Sequence, residues 1–276
     1  MKYNPELVAY CPILSEADKE QLFELSQYYS LDTFKKDHRN YEEMVVDFVY
    51  TSAKIEGNTY SRLDTDNLLR LGYTAGGKLY SDAIMLMNLR QAFFMCMGTD
   101  KQTHLDTDFV GDLHKTLMKD LLPSFEQGIV RTGGVVIGGT QYSPLAEPER
   151  LKTEQKFILQ TAEKYQNPFE QAIYLHCNTA YLQYFRDGNK RTARLLQTAA
   201  LVKHGVLPLF FSDTLITQYM QATIDYYETG NYENYVDFFK ENYHFAIQRL
   251  TGQEIVLSND ADNEIDRDDD APEIDR

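Results

Sequence analysis

The run from Gln183 to Arg194 constrains the fold of this chain more than any other stretch, because it joins two helical patterns through a tight turn. Apolar residues recur at helical spacing on both sides of it, at Ile173, Cys177, Ala180, Tyr181, Tyr184, Leu195, Leu196, Ala199 and Ala200. Between them, residues 187–189 (Asp-Gly-Asn) are typical of a turn, because glycine and asparagine accept a positive φ and aspartate caps helices. The run therefore predicts a helix, a tight turn and the start of a second helix.

This turn also carries residue types that bind polyphosphates. A helix N-terminus presents unpaired backbone N–H groups and the positive end of the helix dipole. Lys190, Arg191 and Arg194 add formal positive charge there. Asp187 offers a hard oxygen ligand of the kind that Mg²⁺ accepts beside phosphates. A solvated, charged turn between helices has the same composition, so both interpretations stay open on these residues alone.

The order of these residues resembles the signature of the Fic (Fido) family, H-x-F-x-(D/E)-G-N-(G/K)-R-x-x-R. The chain matches it at Phe185, Asp187, Gly188, Asn189, Lys190, Arg191 and Arg194. Residues 52–58 (SAKIEGN) resemble the family's inhibitory helix, (S/T)-x-x-x-E-(G/N). The segment from Gly128 to Pro144 resembles its target-docking hairpin, the flap. Together these likenesses cover most of residues 40–245.

The resemblance implies a mostly α fold: a Fic-type helical bundle with one short β-hairpin flap. It also implies transfer of AMP from ATP to a serine, threonine or tyrosine hydroxyl of a target protein, with Mg²⁺ as the metal. The nucleotide-binding residues that it implies are Gly188, Asn189, Lys190, Arg191 and Arg194, and the metal residue is Asp187.

Two other groups of site residues follow from the same resemblance. The inhibitory residues would be Ser52, Glu56 and Gly57, with Glu56 pairing with Arg194 and obstructing the γ-phosphate of ATP. The flap residues that dock the target would be Arg131, Val135, Val136, Ile137 and Gly138. A flap of this kind holds an extended peptide by strand addition, so main-chain hydrogen bonds would position the target hydroxyl. A purely structural hairpin is the alternative.

Gln183 departs from the signature, because it stands where the family has its catalytic histidine. An imidazole accepts a hydroxyl proton near neutral pH, whereas a carboxamide can only make hydrogen bonds. Losing a general base typically lowers the rate about 10²–10⁴-fold, while positioning and electrostatic effects remain. We therefore expect an autoinhibited protein with impaired or absent AMP transfer.

Three alternatives remain beside that expectation. The chain could be a non-catalytic module that senses nucleotides or binds proteins through the flap and the ATP cradle. A Doc-like phosphate transfer would fit Lys190, but Doc-like members lack the arginine that Arg194 matches. Removal of AMP, with Glu56 orienting water, would leave the departing hydroxyl without an acid.

His176 is the candidate for a replacement base, and His114 is a candidate ligand. His176 precedes Gln183 by two helical turns, about 10.5 Å, whereas a general base must lie near 3 Å from its proton. We therefore predict a structural role for His176. A packed or surface position is predicted for His114.

The composition limits the partners and the compartment. A net charge of −15 over 276 residues argues against a nucleic-acid-binding surface. The sequence has no apolar run near 18 residues and no signal-peptide pattern at its start, so we expect no membrane association. Three widely spaced cysteines predict a reducing compartment, the cytoplasm.

The pattern along the chain predicts three parts. Residues 1–77 would form an N-terminal helical region that carries the inhibitory helix at about 41–58, and residues 78–250 would form the Fic core with the flap at about 128–147. Residues 251–276 would be an acidic, flexible tail, since residues 260–276 hold nine acidic residues and two arginines. The expected partner is a target protein on the flap; self-modification and a homo-oligomer remain possible partnerships.

Overall fold

The computed structural model describes residues 1–257 and is mostly helical. The prediction for the acidic tail concerns residues that lie, from 258 onward, outside this range. The described α-helices are α1 (Glu16–Tyr28), α2 (Leu31–Lys36), α3 (His38–Ile55), α4 (Arg62–Asp66), α5 (Tyr80–Met97), α6 (Thr107–Leu117), α7 (Pro148–Ala162), α8 (Pro168–Leu182), α9 (Asn189–Lys203), α10 (Ile216–Thr229) and α11 (Glu233–Thr251). Short 3₁₀ segments at Pro5–Val8, Ser124–Glu126 and Asp213–Leu215 and a π-helical turn at Asn67–Leu71 connect them.

The α8–α9 pair forms the centre of the core. Nearly every residue of both helices is buried, including the polar ones, so neither helix has a solvent face. Helices α5, α7, α10 and α11 pack around this pair. A helix that is buried on all sides must satisfy its polar side chains internally. The turn between α8 and α9 is therefore held on a rigid platform.

The first two helices of the N-terminal region, α1 and α2, are separate. The helix breaks after Tyr28, and α2 starts where the Ser30 side chain accepts a hydrogen bond from the backbone N–H of Thr33 at 3.1 Å. A serine in this position favours a new helix start over continuation of the old one. Helix α1 packs against α11 and α3 packs against α5. The division into parts near residue 77 stays a prediction.

The carboxylate of Asp47 links helix α3 to two other segments. The two oxygens of Asp47 form ion pairs with Arg62, with Nε at 2.5 Å, and with Arg249 of α11. The helix ends at Ile55 with Glu56 as its C-cap, and Gly57 then adopts a positive φ of 84° that reverses the chain. Glu56 therefore sits at the end of a helix whose position is set by ion pairs with two other segments.

The expected β-hairpin in the flap is wrong. Within residues 1–257 no strand forms, and the only bridge of β type joins Lys2 to Ser143. Only three apolar residues lie between the glycine pairs at 133–134 and 138–139, and the Val136 side chain is 96% exposed. A short strand with no packed face and no paired neighbour gains too little to order as a hairpin. The flap is an irregular loop.

None of the helices in the described range combines the length and the apolar character that a bilayer-spanning segment requires. The cysteines Cys11, Cys96 and Cys177 are free thiols, and the latter two are buried. Burial raises the pKa of the Cys177 thiol well above its usual range. These thiols therefore pack as small apolar side chains.

Replacing Asp47 by alanine should destabilise the protein, because it leaves Arg62 and Arg249 without their shared partner. We expect a loss of about 2 kcal/mol in the free energy of unfolding, since both arginines are partly exposed and solvent screens the pairs. Thermal unfolding would show a midpoint lower by about 5 °C. Glu149→Ala is the control, because it breaks an exposed pair with Lys152. Equal midpoints for the two variants would contradict the anchoring role of Asp47.

Candidate functional site

The turn between α8 and α9 is shaped by two residues with positive φ. Gln183 has a φ of 52° and Gly188 a φ of 75°. A Cβ at position 188 would lie 2.7 Å from Sδ of Met118, at the end of α6, and the positive φ itself favours glycine. A larger residue would strain the backbone and displace the Met118 side chain.

Asn189 holds the turn together through its side-chain amide. Its Oδ1 accepts a hydrogen bond from the backbone N–H of Phe185 at 2.8 Å, and its Nδ2 donates to the Phe185 carbonyl at 2.9 Å. The same Nδ2 donates to Oε1 of Gln183 at 3.2 Å. Asn189 was predicted to bind nucleotide, and in the structure its amide is already engaged in shaping the cradle.

Gln183 is nearly buried, with 8% of its surface exposed, and its carboxamide is satisfied at both ends. Nε2 donates to the carbonyl of Ala180 at 2.7 Å, while Oε1 accepts from Asn189. An amide in this arrangement has no basic atom to offer. Gln183 therefore acts in the structure as the cap of α8.

Arg191 has buried hydrogen-bond donors without partners. Its side chain is buried, and its Nη2 donates to Oδ2 of Asp187 at 3.1 Å. Its Nε and Nη1 find no hydrogen-bond partner among residues 1–257. Buried guanidinium N–H groups are normally paired. Two unpaired donors on one buried guanidinium group indicate a site for an anion.

Arg194 is fully buried and has three partners. Nη2 donates to Oε1 of Glu56 at 2.9 Å and to the carbonyl of Ser52 at 3.1 Å. Nη1 lies 3.1 Å from the hydroxyl oxygen of Tyr219. The Ser52 hydroxyl itself is buried without a partner in the described chain. Among the predicted inhibitory residues, Ser52 thus contributes its backbone and not its side chain.

Glu56 reaches both arginines from the end of α3. Its second oxygen, Oε2, lies 3.9 Å from Nε of Arg191, so the carboxylate lies between the two guanidinium groups. Burial raises the pKa of this carboxyl, but the charges of Arg194, Lys190 and Arg191 outweigh burial and lower it. Glu56 is therefore ionised at neutral pH.

A cleft of about 450 Å³ opens beside this cluster. Its walls are formed by Glu56, Leu122, Gly134, Val135, Val136, Gln183, Arg186, Asp187, Gly188, Asn189 and Lys190. No side chain in the described part of the chain caps the first N–H groups of α9. Those N–H groups and Lys190 make the cleft suitable for phosphate.

Asp187 stands at the mouth of the cleft with 60% of its side chain exposed. Its Oδ1 accepts the backbone N–H of Gly188 at 2.6 Å, and its Oδ2 accepts from Arg191. No group of three or more potential metal ligands occurs within residues 1–257. Mg²⁺ in nucleotide sites is commonly held by one or two carboxylates together with phosphate oxygens, so a single exposed aspartate fits this role.

The flap residues divide into two groups. Val135 and Val136 line the cleft, whereas Ile137 is partly buried and Gly138 has open space around it. Arg131 is buried: its Nε donates to the Gln183 carbonyl at 2.6 Å, and its Nη groups donate to the carbonyls of Gly133 and Leu145. Arg131 therefore joins the base of the flap to the end of α8 and is not available for docking.

His114 is a site residue whose role the sequence did not reveal. Its ring stacks on Phe185 with centroids 3.7 Å apart. Nδ1 accepts the backbone N–H of Gly128 at 2.8 Å, so Nε2 carries the proton and donates to the Asp187 carbonyl at 2.9 Å. Burial lowers the pKa of His114 to about 4. Of the two predicted positions, packed or at the surface, the structure shows the packed one. This neutral imidazole links the flap base to the turn.

Comparison with known proteins places this geometry in a family. Residues 104–201, which include α6 and the α8–turn–α9 unit, match the sequence profile described as "Fic/DOC family". This segment is a Fic/DOC domain. The irregular flap and the Gln183–Arg194 run both lie inside it.

Curated relatives extend the likeness beyond the Fic/DOC domain. The protein adenylyltransferase fic-1 of Caenorhabditis elegans is 25% identical over 260 residues, covering 91% of this chain and 50% of the relative. The protein adenylyltransferase Fic of Nematostella vectensis is 27% identical over 205 residues, covering 72% and 45%. The chain therefore spans about half the length of the curated relatives that it matches.

Solved structures show the same fold. Fic-1 of C. elegans (residues 134–508) superimposes with a TM-score of 0.71 at 22% identity, covering 86% of this chain and 72% of that one. A Fic family protein from Desulfovibrio desulfuricans G20 gives a TM-score of 0.73 at 17% identity, covering 93% and 86%. At these identities the likeness concerns the fold alone. Helices outside residues 104–201 are thus included in the shared architecture.

His114→Phe should destabilise the Fic/DOC domain in a pH-dependent manner. Phenylalanine keeps the stack on Phe185 but leaves the Gly128 N–H and the Asp187 carbonyl unpaired, so we expect a loss of about 3 kcal/mol at pH 7. The unfolded state binds a proton near pH 6.5 and the folded state only near 4, so the wild type loses stability as the pH falls between these values. The difference in the free energy of unfolding between the wild type and His114→Phe, the stability gap, should therefore decrease by about 2 kcal/mol between pH 7 and pH 5.

Urea unfolding of both proteins at several pH values measures this gap. His38→Gln, which changes an exposed histidine, is the control and should follow the wild type throughout. A gap that stays constant from pH 7 to pH 5 would show that His114 is not held neutral in the folded state.

Proposed function

We propose that this chain is a protein adenylyltransferase-like protein that binds ATP in the cleft, is inhibited by Glu56, and has weak or no AMP transfer because Gln183 supplies no base. The observation that carries the proposal is the buried Arg191 guanidinium, whose unpaired Nε and Nη1 lie beside the Glu56–Arg194 pair at the start of α9. The names of the relatives, which are protein adenylyltransferases at about 25% identity, support the same reaction class.

ATP binding follows from the donors around the turn. The uncapped N–H groups of α9, together with Gly188 and Lys190, would receive the α- and β-phosphates. Arg191 would use its free Nε and Nη1 on phosphate oxygens, and Arg194 would hold the γ-phosphate. Asn189 would act indirectly, because its amide fixes the turn.

Asp187 would hold Mg²⁺ beside the phosphates. When bound, the ion would neutralise phosphate charge and orient the oxygens. The fit is supported by the exposure of the carboxylate at the mouth of the cleft. The contact of Arg191 with Oδ2 of Asp187 would keep this carboxylate beside the phosphate donors.

Inhibition by Glu56 has an electrostatic basis. Its carboxylate occupies the guanidinium positions that a γ-phosphate would need, and it stays ionised because the neighbouring cations lower its pKa. A phosphate brought against this carboxylate would meet a like charge in a low-dielectric site. Removing the carboxylate should therefore allow ATP to enter in the productive arrangement.

Gln183 would limit the chemistry itself. The attacking hydroxyl must lose a proton, and a carboxamide cannot accept it. Its position, a residue with φ of 52° at the end of α8, is one that histidine also adopts more readily than most side chains. Restoring the imidazole should therefore not require a change in the backbone.

The flap would dock the target protein. Val135 and Val136 lie on the cleft wall, and the Val136 side chain is free of the core. The unpaired backbone of this loop could gain its strand pairing from an extended target segment, which would order the flap at that moment. Self-modification, homo-oligomerisation and a cytoplasmic location stay predictions from the sequence.

A binding module is the second candidate function, favoured by the complete hydrogen bonding of the Gln183 carboxamide within the turn. Because the Gln183 side chain stabilises the turn, this arrangement fits a protein that binds nucleotide without catalysing its conversion. The two candidates differ in whether one substitution restores chemistry.

Comparing Glu56→Gly with Glu56→Gly/Gln183→His tests the proposal. Each variant is incubated with Mg²⁺, a cell lysate and ATP labelled on the α-phosphate. We expect labelled protein from the double variant at least about 100-fold above the single variant, because only histidine can take the hydroxyl proton. Glu56→Gly/Gln183→Asn is the control, since it keeps a carboxamide.

Equal labelling by the single and double variants would show that Gln183 is no obstacle to transfer. Labelling by neither variant, with ATP binding retained in both, would favour the binding module. Absence of ATP binding in both would reject the proposal altogether.

Val136→Pro, made in the double variant, should lower labelling of the target about 10-fold. Proline removes a backbone N–H from the flap and fixes φ, so strand addition at this point is weakened. The affinity for ATP should stay within about twofold, because the phosphate donors are unchanged. Val136→Thr keeps the backbone donor and should label like the parent. If the proline and threonine variants label equally, main-chain docking on the flap is wrong.

A further inference from the structure

Arg194 is held by contacts that do not involve Glu56. Its Nη2 also donates to the Ser52 carbonyl, and its Nη1 lies 3.1 Å from the hydroxyl oxygen of Tyr219. Tyr219 belongs to α10, 25 residues beyond Arg194, and its side chain is buried. Two of the three partners of Arg194 would therefore remain after Glu56 leaves.

The direction of the Tyr219 contact is fixed by chemistry. An arginine N–H can only donate, so the Tyr219 oxygen accepts from Nη1. The guanidinium carbon also lies 5.6 Å from the centroid of the Tyr219 ring. Tyr219 thus contacts the guanidinium group with both its oxygen and its ring.

His176 provides a hydrogen-bond acceptor for the Tyr219 hydroxyl. Its Nε2 lies 3.1 Å from the Tyr219 oxygen, and its ring stacks on Tyr235 with centroids 4.4 Å apart. Burial, and then the charge of Arg194, lower the pKa of His176 well below its usual range, so the ring is neutral. Nε2 can therefore accept a hydrogen bond from the phenol O–H while the phenol oxygen accepts one from Arg194.

We propose that Tyr219, oriented by His176, positions Arg194 for the γ-phosphate and thereby sets the preference of this site for ATP over ADP. This inference rests on the proposed function, in which Arg194 binds that phosphate. Tyr219 is a positioning residue, because it acts only through the guanidinium group. Without its hydroxyl, Nη1 loses its acceptor and the group can rotate away from the orientation that the phosphate needs.

Tyr219→Phe in the Glu56→Gly background tests the inference. The Kd values of ATP and of ADP, each with Mg²⁺, are measured by calorimetry. We expect the affinity for ATP to fall about 10-fold, the typical effect of losing a hydrogen bond to a charged group, while the affinity for ADP stays within about twofold. A general structural defect would lower both affinities.

Tyr243→Phe is the matched control. It removes a hydroxyl that is equally buried but has no hydrogen-bond partner within residues 1–257, and its ring packs against Phe169 and Phe239 instead. Both nucleotide affinities should match those of the Glu56→Gly parent. Thermal unfolding of each variant shows that the fold is retained.

The outcomes separate this inference from the proposed function. If the Glu56→Gly parent binds neither nucleotide, the proposed function is wrong. If it binds ATP with no preference over ADP, the γ-phosphate contact of Arg194 and the positioning role of Tyr219 are wrong, while ATP binding stands. If the parent prefers ATP and Tyr219→Phe keeps that preference, or loses affinity for both nucleotides equally, only the positioning role is wrong.

Discussion

The buried ion pair between Glu56 and Arg194 is the interaction on which the arrangement of the site depends. It joins residues 138 positions apart, one at the end of α3 and one on α9, and it brings the N-terminal helices onto the domain that carries the turn. A buried ion pair of this kind contributes little net stability, because desolvation offsets most of the attraction. Losing either partner is costly, however, because it leaves a charge buried and unpaired. The pair therefore fixes the position of the end of α3 against α9 and adds little to the stability of the fold.

The buried polar side chains of the α8–α9 unit likewise need partners, as the Glu56–Arg194 pair does. Arg191, Arg194 and His176 are buried in the core, so their hydrogen bonds must come from neighbouring elements. Tyr219 on α10 and the end of α3 supply them for Arg194, and α6 supplies His114 for the turn. Arg191 is left with unpaired donors at the point where the cleft opens. Unpaired buried donors beside a cleft are typical of a binding site.

Sequence alone predicted the mostly helical fold, the position of the turn and the residues that meet there, because each depends on local spacing and on one specific signature. It could not predict the contacts of Arg131, His114 and Tyr219, since these side chains act through residues far away in the chain. Arg131 resembled a docking residue, and only its three carbonyl acceptors show that it closes the base of the flap. The hairpin was predicted from β-branched residues between glycines, but a strand needs a paired neighbour that this chain does not provide within residues 1–257.

The anchoring of α3 by Asp47 has a consequence for timing. Because this helix is tied to Arg62 and Arg249 nine residues before Glu56, Glu56 can withdraw only by rotation of its side chain or by fraying of the last turn before Gly57. Such local motions take nanoseconds to microseconds, whereas movement of whole domains takes microseconds to milliseconds. Access of nucleotide to Arg194 would then be set by a fast local equilibrium. The fraction of the site occupied by nucleotide would then follow the nucleotide concentration without delay.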